Sequence, residues 1–487
     1  MLYDLDACEH RPWMDLFECP SKRDAVSPFL GLLWRRGLAH EEQAIAGVEA
    51  LNLRTLPVQE RASATLDAMK RQVPLIYGGR ISSGDLLGEP DLLRLESDGK
   101  YLPGDIKSGA GEEGPQGEER RPKKRYAVQI GLYVDVLERL GLSAGRRGFV
   151  WDIHGAEVPY DLTAPKGKKS AETLWDDYQR SLLVIRQIVS GVQNPGPAYH
   201  AECKNCVWYG TCMAELKRID DLTLLPGLGK SKREPFLPHV RTSAELAATT
   251  PERFLDDKGR SILPGIGPDS VARFHARALL KARNGSPYLR SPLTLPAQVT
   301  ELFFDIETDP MRDHCYLHGF VERRGADNST ERYEGFFSMA PTAKGEHDAF
   351  ADAWAYVENN RPCIIYIYSK YERTWWRALQ RKYPDVCTAE DLEMLFRPST
   401  MVDLFEIVSE STEWPTIDYS IKTLAGYLGF RWRDPHPSGA ASIEWYDRYC
   451  NGDRSAKSHI LEYNEDDCRA MRILTDFLRT MRPVAMH

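Results

Sequence analysis

The chain has no run of about 18 apolar residues, the length a membrane-spanning helix requires, so a helical membrane protein is not expected. Its first residues, Met1-Leu2-Tyr3-Asp4-Leu5-Asp6, lack the basic and apolar regions of a signal peptide. The expectation is a cytoplasmic protein with no membrane partner. A surplus of positive charge is also lacking, since the formal net charge is −8. That excludes little, because nucleic-acid binding depends on local basic surface and catalytic carboxylates add to the negative total. Two local basic runs are present, Arg120-Arg121-Pro122-Lys123-Lys124-Arg125 and Lys230-Ser231-Lys232-Arg233. In a reducing compartment disulfides are not expected, so ten cysteines point to metal binding or reactivity. Six of them (Cys19, Cys315, Cys363, Cys387, Cys450 and Cys468) show no ligand spacing and read mainly as small buried hydrophobes.

What is present is ordinary globular material, 487 residues with 42% hydrophobic and 28% charged content, enough for about three domains. The expected zones are residues 1–216, which end in a cysteine cluster, 217–296, a small paired module with a turn-rich linker, and 297–487, where strands alternate with helices. The third zone opens with the apolar strand Leu302-Phe303-Phe304 and has a second clear strand at Cys363-Ile364-Ile365-Tyr366-Ile367-Tyr368, followed by a helix near 372–381. The Gly-, Glu- and Arg-rich segment 109–125 reads as a mobile loop.

Two acidic constellations stand out. In the first, Gly88-Glu89-Pro90-Asp91 precedes Gly104-Asp105-Ile106-Lys107, and between them Ser97-Asp98-Gly99 is a hairpin turn signal. A three-residue loop with Gly99 left-handed pairs Glu96 with Lys100 and sets Asp91 opposite Asp105, with Lys107 on the same face. A two-residue loop would put the aspartates on opposite faces. Two carboxylates suit Mg²⁺ or Mn²⁺, and the lysine suits orientation of a water or stabilisation of charge. In the second, Asp305 and Glu307 in Phe304-Asp305-Ile306-Glu307-Thr308 project from one face of a strand. Tyr463 and Asp467 in Tyr463-Asn464-Glu465-Asp466-Asp467 share one face of a helix.

Between them lie Cys203-Lys204-Asn205-Cys206 and Cys212, a C-x2-C-x5-C pattern short of a fourth ligand. Thiolates suit either a [4Fe–4S] cluster or Zn²⁺. Further on, Leu224-Leu225-Pro226-Gly227-Leu228-Gly229 recurs 38 positions later as Ile262-Leu263-Pro264-Gly265-Ile266-Gly267, an internal duplication. Each copy precedes a helix, as in helix-hairpin-helix motifs. Gly227, Gly229, Gly265 and Gly267 would let a phosphate approach the backbone, and Lys230 and Lys232 would add charge. Such contacts grip DNA without reading sequence. Simple packing of helix on turn on helix is the alternative use.

The first constellation resembles the PD-(D/E)XK nucleases, in the RecB-like branch that carries an iron–sulfur cluster. That resemblance implies a restriction-endonuclease-like domain. It implies that His40, in Arg36-Gly37-Leu38-Ala39-His40-Glu41, is a further metal ligand, and that Gln129 and Tyr133 form the Gln-x3-Tyr motif of the branch. Asp105 departs from the commoner glutamate at its position. In the same branch the fourth cluster cysteine lies near the N-terminus, which implies Cys8, with Cys19 in reserve. The second constellation resembles the DEDD exonucleases of the RNase H-like fold in their tyrosine form, since Glu462 stands where the histidine form needs a histidine. This implies that Asp305, Glu307 and Asp467 hold two Mg²⁺ or Mn²⁺ ions and that Tyr463 positions water. The usual second motif is absent in its common form. Tyr368-Ser369-Lys370-Tyr371-Glu372 matches a bacterial subgroup and implies Glu372 in its place, with Asp403 as a supporting acid. By the same resemblance Tyr419-Ser420-Ile421-Lys422-Thr423-Leu424 is structural.

Together the resemblances imply an α/β multidomain protein: a restriction-endonuclease-like domain with an iron–sulfur cluster, a small helical helix-hairpin-helix module and an RNase H-like domain. The expected activity is a dual metal-dependent nuclease on DNA ends or single strands, acting from 5′ ends at the first site and 3′ ends at the second, with a helicase as a partner in some relatives. Two other readings stand beside it: a nuclease for RNA or RNA–DNA hybrids, and a non-catalytic DNA-end adaptor that loads a helicase.

Overall fold

The computed structural model of the chain describes residues 1–114, 120–167 and 170–483. Two compact units form: Met1–Pro197 with Glu202–Cys212, and Ala198–Ala201 with Met213–His487. The paired Pro-Gly segments thus share a unit with the C-terminal strands and helices. No helix among the described residues is long and apolar enough to cross a membrane.

The first unit centres on a six-stranded sheet ordered Leu51–Asn52, Leu75–Tyr77, Leu92–Leu95, Tyr101–Ile106, Arg147–Trp151 and Glu157–Asp161. Tyr101–Ile106 is buried along its whole length, as befits a strand covered on both faces. It pairs antiparallel with Leu92–Leu95 and parallel with Arg147–Trp151. A parallel partner requires a crossover, and the helix Lys124–Arg139 supplies it. That helix packs closely on Leu174–Val189: a side chain at Gly131 would place its Cβ 2.7 Å from the Tyr178 ring. The second helix starts from a capping box between Thr173 and Asp176.

The segment 109–125 differs from the mobile loop expected. Glu112–Glu113 pairs antiparallel with Arg121–Pro122, and the crossover helix begins at Lys124. A two-residue ladder is too short to leave a periodic signal, and the charged composition concealed it. Residues 115–119 lie outside the described residues.

In the second unit a five-stranded sheet runs Asp327–Phe337, His314–Arg324, Thr300–Asp309, Cys363–Ile367, Met401–Asp403. The first three strands are antiparallel and the last two join in parallel. Alternation along Thr300–Asp309 sends Leu302, Phe304 and Ile306 into one core and Phe303 into the other. Asp305 and Glu307 share Phe303's face, and Met471, Leu474 and Leu478 of the helix Ala456–Thr480 pack into that same core. The duplicated segment folds around one apolar cluster. Leu225 and Leu263, Leu228 and Ile266, Phe236 and Phe274, Val240 and Ala278 are equivalent positions of the two copies, and all are buried in it.

Candidate metal and active sites

The strand Thr300–Asp309 and the helix Ala456–Thr480 bring Asp305, Glu307 and Asp467 together, with one ligand oxygen from each lying within 4.8 Å of the others. Asp305 is partly buried; Glu307 and Asp467 are buried. Burial, with Asp467 beside it, holds the Asp305 carboxyl well above the usual carboxylate range, and burial followed by Asp305 does the same for Glu307. Three crowded carboxylates resist ionising together, and a divalent cation removes that conflict. Hard oxygen donors of this kind suit Mg²⁺ or Mn²⁺.

Each acid is steered by a neighbour. Asn464 Nδ2 donates to Asp305 Oδ2 at 2.8 Å, while Tyr333 OH donates to Asn464 Oδ1 at 2.9 Å. Trp432 Nε1 donates to Asp467 Oδ1 at 2.7 Å. The Ser442 hydroxyl bonds Glu307 and lies 2.8 Å from that of Tyr316. Lys422 Nζ donates to Tyr463 OH at 2.8 Å and stands 3.4 Å from Asp467. Tyr463 therefore shares a cation with Asp467. Lys422 comes from the segment expected to be structural, and none of Asn464, Trp432, Ser442 or Lys422 was singled out from sequence. Only the position of Asn464, three residues before Asp467 on the same helix, could have flagged one of them.

Glu372 is buried near the trio, and burial, then the charge of Asp305, keeps its carboxyl well above the ordinary range. Its Oε2 has no hydrogen-bond partner among the described residues. Glu372 sits in the first turn of the helix Tyr371–Lys382. The approach to that helix is strained, with Ser369 at φ +96°, a conformation costly for a residue with a side chain. Asp403 Oδ1 accepts from Ser369 N at 3.0 Å and also caps the helix Leu404–Ser411. Asp403 thus fixes the turn that carries Glu372.

At the first constellation Leu92 pairs with Gly104 and Leu95 with Tyr101, and Glu96 N donates to Lys100 O at 2.8 Å. Gly99 takes φ +74°. This is the three-residue loop register, which sets Asp91 across from Asp105. Gly104 is required here, because a Cβ would sit 2.4 Å from the Phe149 ring. Lys107 Nζ lies 2.9 Å from Asp105 Oδ2 and donates to Gln129 Oε1 at 3.1 Å. Gln129 Nε2 in turn donates to Tyr133 OH at 2.6 Å, and Tyr133 OH to Glu89 O at 3.3 Å. Burial, reinforced by Asp105, lifts the Asp91 carboxyl to about 7. Burial pulls Lys107 down, but Asp105 and Asp91 outweigh it and the net shift is upward.

Arg54 was not anticipated from sequence. It pairs with Asp91 at 2.7 Å and also with Glu41, while Tyr77 OH donates to Glu41 at 2.9 Å. His40, one residue earlier on the helix Pro28–Ile45, has its Nε2 buried without a hydrogen-bond partner among the described residues. Among the described residues the close three-ligand set is that of the second unit, so His40, Asp91 and Asp105 are not gathered to the same degree.

Cys8, Cys203 and Cys206 all lie in the electrostatic surroundings of Cys212, whose thiol is pushed up to about 12, by burial first and then by those three. Cys19 is exposed and bonds Ser21 instead. The surrounding chain ties the two ends of the unit. Trp208 Nε1 donates to Asp15 at 2.9 Å, Asp24 N to Val207 O at 2.7 Å and Gly210 N to Asp24 at 2.7 Å.

In the duplicated segment Gly227, Gly229 and Gly265 have positive φ, whereas Gly267 does not. No atom of the described residues comes within 4 Å of a Cβ placed at Gly229, Gly265 or Gly267, so these turns are open to them on that side. Lys232 Nζ donates back to Gly227 O at 3.0 Å, and Lys230 is half-buried.

A family model of the RNase_H superfamily matches residues 302–479. The match covers the five-stranded sheet and includes Asp305, Glu307, Glu372, Lys422, Tyr463 and Asp467. No curated protein matches the chain, and no solved structure does.

Proposed function

We propose that the chain is a metal-dependent nuclease with two active sites that hydrolyses phosphodiester bonds of DNA, at ends or in single strands. One observation carries the reading: three carboxylates converge within 4.8 Å inside the segment that matches the RNase_H superfamily. Asp305, Glu307 and Asp467 would hold Mg²⁺ or Mn²⁺. A divalent ion there supplies an activated water and stabilises charge on the leaving oxygen. The chain's own groups do the rest. Tyr463, held by Lys422, orients the water, and Lys422 lends positive charge beside the phosphate. Asn464 and Trp432 fix the two aspartates, and Glu372 adds a fourth, buried carboxylate near them. By resemblance to the tyrosine-form DEDD exonucleases, this site trims 3′ ends.

At the first unit Asp91 and Asp105 would hold the same ions, with His40 as a further ligand and Lys107, oriented by Gln129 and Tyr133, beside the attacked phosphate. By its resemblance this site works from 5′ ends. Cys8, Cys203, Cys206 and Cys212 would bind a [4Fe–4S] cluster. Zn²⁺ is the alternative occupant of a four-thiolate set. The turns at Gly227, Gly229, Gly265 and Gly267, with Lys230 and Lys232, would grip the DNA backbone.

The test is digestion of 5′- and 3′-labelled single-stranded DNA, duplex DNA and RNA by the wild type, Asp105→Ala and Asp305→Ala with Mn²⁺ or Mg²⁺. Each variant should lose one polarity. Unchanged digestion by both variants would remove both sites, RNA-restricted digestion would transfer the reading to RNA, and an inert wild type would leave an adaptor for a helicase.

A further inference from the structure

Glu413 is fully buried and is approached by three arginines. Arg277 Nε lies 2.6 Å away, Arg273 Nε 3.3 Å and Arg290 Nε 3.4 Å. The Tyr419 hydroxyl donates to the same carboxylate at 2.8 Å. One negative charge cannot balance three guanidinium groups, so a partly exposed surplus of positive charge remains for an anion to complete. Other acceptors are few: Ser409 O takes bonds from Arg273 at 2.7 Å and from Arg290 at 3.5 Å, and Pro226 O takes one from Arg277 at 2.5 Å. Among the described residues Arg290 Nε, though near Glu413, has no hydrogen-bond partner. Burial, and then the charge of Arg273, lowers the pKa of Arg290, and Glu413 opposes the shift. Tyr288, half-buried, is the other titratable group facing the carboxylate.

The three arginines differ in access. Arg277 is 6% exposed and serves the interior, whereas Arg273 and Arg290 are 35% and 29% exposed. The Arg277 guanidinium holds the carbonyl of Pro226 and would stand 3.4 Å from a Cβ at Gly227, so the cluster abuts the first Pro-Gly turn. It also reaches the catalytic face through sequence: Tyr419 is bound to Glu413 and immediately precedes Ser420, the N-cap of the helix Ile421–Tyr427 that carries Lys422.

We propose that Arg273 and Arg290 form a phosphodiester-binding subsite for DNA, seated on Glu413 and Arg277 between the first Pro-Gly turn and the RNase H-like sheet. Glu413 pre-orders the guanidinium groups, leaving outward N–H donors for phosphate oxygens. The subsite rests on the nuclease reading, since it takes the backbone of that substrate. It would fix the path of the strand relative to Lys422 without reading sequence.

The test is fluorescence anisotropy of the full chain, in EDTA to prevent cleavage, with a labelled single-stranded DNA oligonucleotide and its RNA counterpart over a salt series. The combined Arg273→Gln and Arg290→Gln variant should bind DNA roughly tenfold more weakly at about 0.1 M salt, with a log–log salt slope smaller by about 1. The combined Arg273→Lys and Arg290→Lys variant keeps the charge and should keep most of the slope. An unchanged slope in the glutamine variant, with a lowered unfolding midpoint, makes the cluster a structural brace and overturns the subsite. A loss confined to RNA overturns its assignment to DNA. Failure of the wild type to bind either strand would instead overturn the nuclease reading, and the subsite with it.

Discussion

The two acidic sites use similar residue types and solve the electrostatic problem differently. In the first unit Asp91 is paired with Arg54 and Asp105 with Lys107, so the protein itself supplies a cation for each carboxylate. In the second, Asp305, Glu307 and Asp467 crowd together with Lys422 as the close cation, 3.4 Å from Asp467. Three carboxylates facing one lysine leave the second set short of positive charge, whereas the first is compensated in part: Arg54 is shared between Asp91 and Glu41, and the Asp91 carboxyl is still lifted to about 7. Metal demand therefore depends on what faces the carboxylates as much as on their number. The comparison also separates two roles for a basic residue: Lys422 links a tyrosine to a ligand, and Arg54 stands where a cation would otherwise be attracted.

The contrast can be tested by removing its parts. Lys422→Met should cut release from 3′ ends by roughly 100-fold, the scale of losing one preorganised donor, and leave 5′-end digestion unchanged. Equal loss at both ends would dissolve the separation of the sites. Cys8→Ser should abolish absorbance near 400 nm and lower the first unit's unfolding midpoint by about 5 °C or more, while Cys19→Ser does neither. If Cys19→Ser bleaches the protein and Cys8→Ser does not, the ligand assignment is reversed. Arg54→Gln, in an Asp305→Ala background that isolates the first site, should tighten Mn²⁺ binding by about tenfold in calorimetry, because a competing cation is gone. Weaker binding would show that Arg54 supports the site. Trp432→Phe should have the smallest effect, about 1 kcal/mol or a fewfold loss in cleavage at 3′ ends, for one hydrogen bond to Asp467.

Much of this architecture could be read from short-range rules. The hairpin turn was legible at Ser97-Asp98-Gly99, and the three-residue loop seen there selects the register that faces Asp91 with Asp105 over the two-residue alternative. Asp305 and Glu307 share a face through strand alternation, and the 38-residue repeat exposed the paired turns before any packing was known. Long-range neighbours were hidden. Lys422 meets Tyr463 across 41 positions, Arg54 meets Asp91 across 37 and Arg277 meets Glu413 across 136. No local period encodes such pairs, because the packing of distant elements creates them. Hidden for the same reason was the bond of Asp403 to the backbone at Ser369, through which it fixes the turn that carries Glu372.

The most direct test is release of nucleotides from a 3′-labelled single strand with Mn²⁺, comparing wild type and Asp305→Ala at equal folded concentration. A ligand to an ion that supplies several kcal/mol of charge stabilisation should matter by about 10³-fold or more, so the wild type should trim the strand and Asp305→Ala should not. Equal trimming by the two proteins, or none by the wild type, would contradict the assignment of Asp305, Glu307 and Asp467 as the metal-dependent centre.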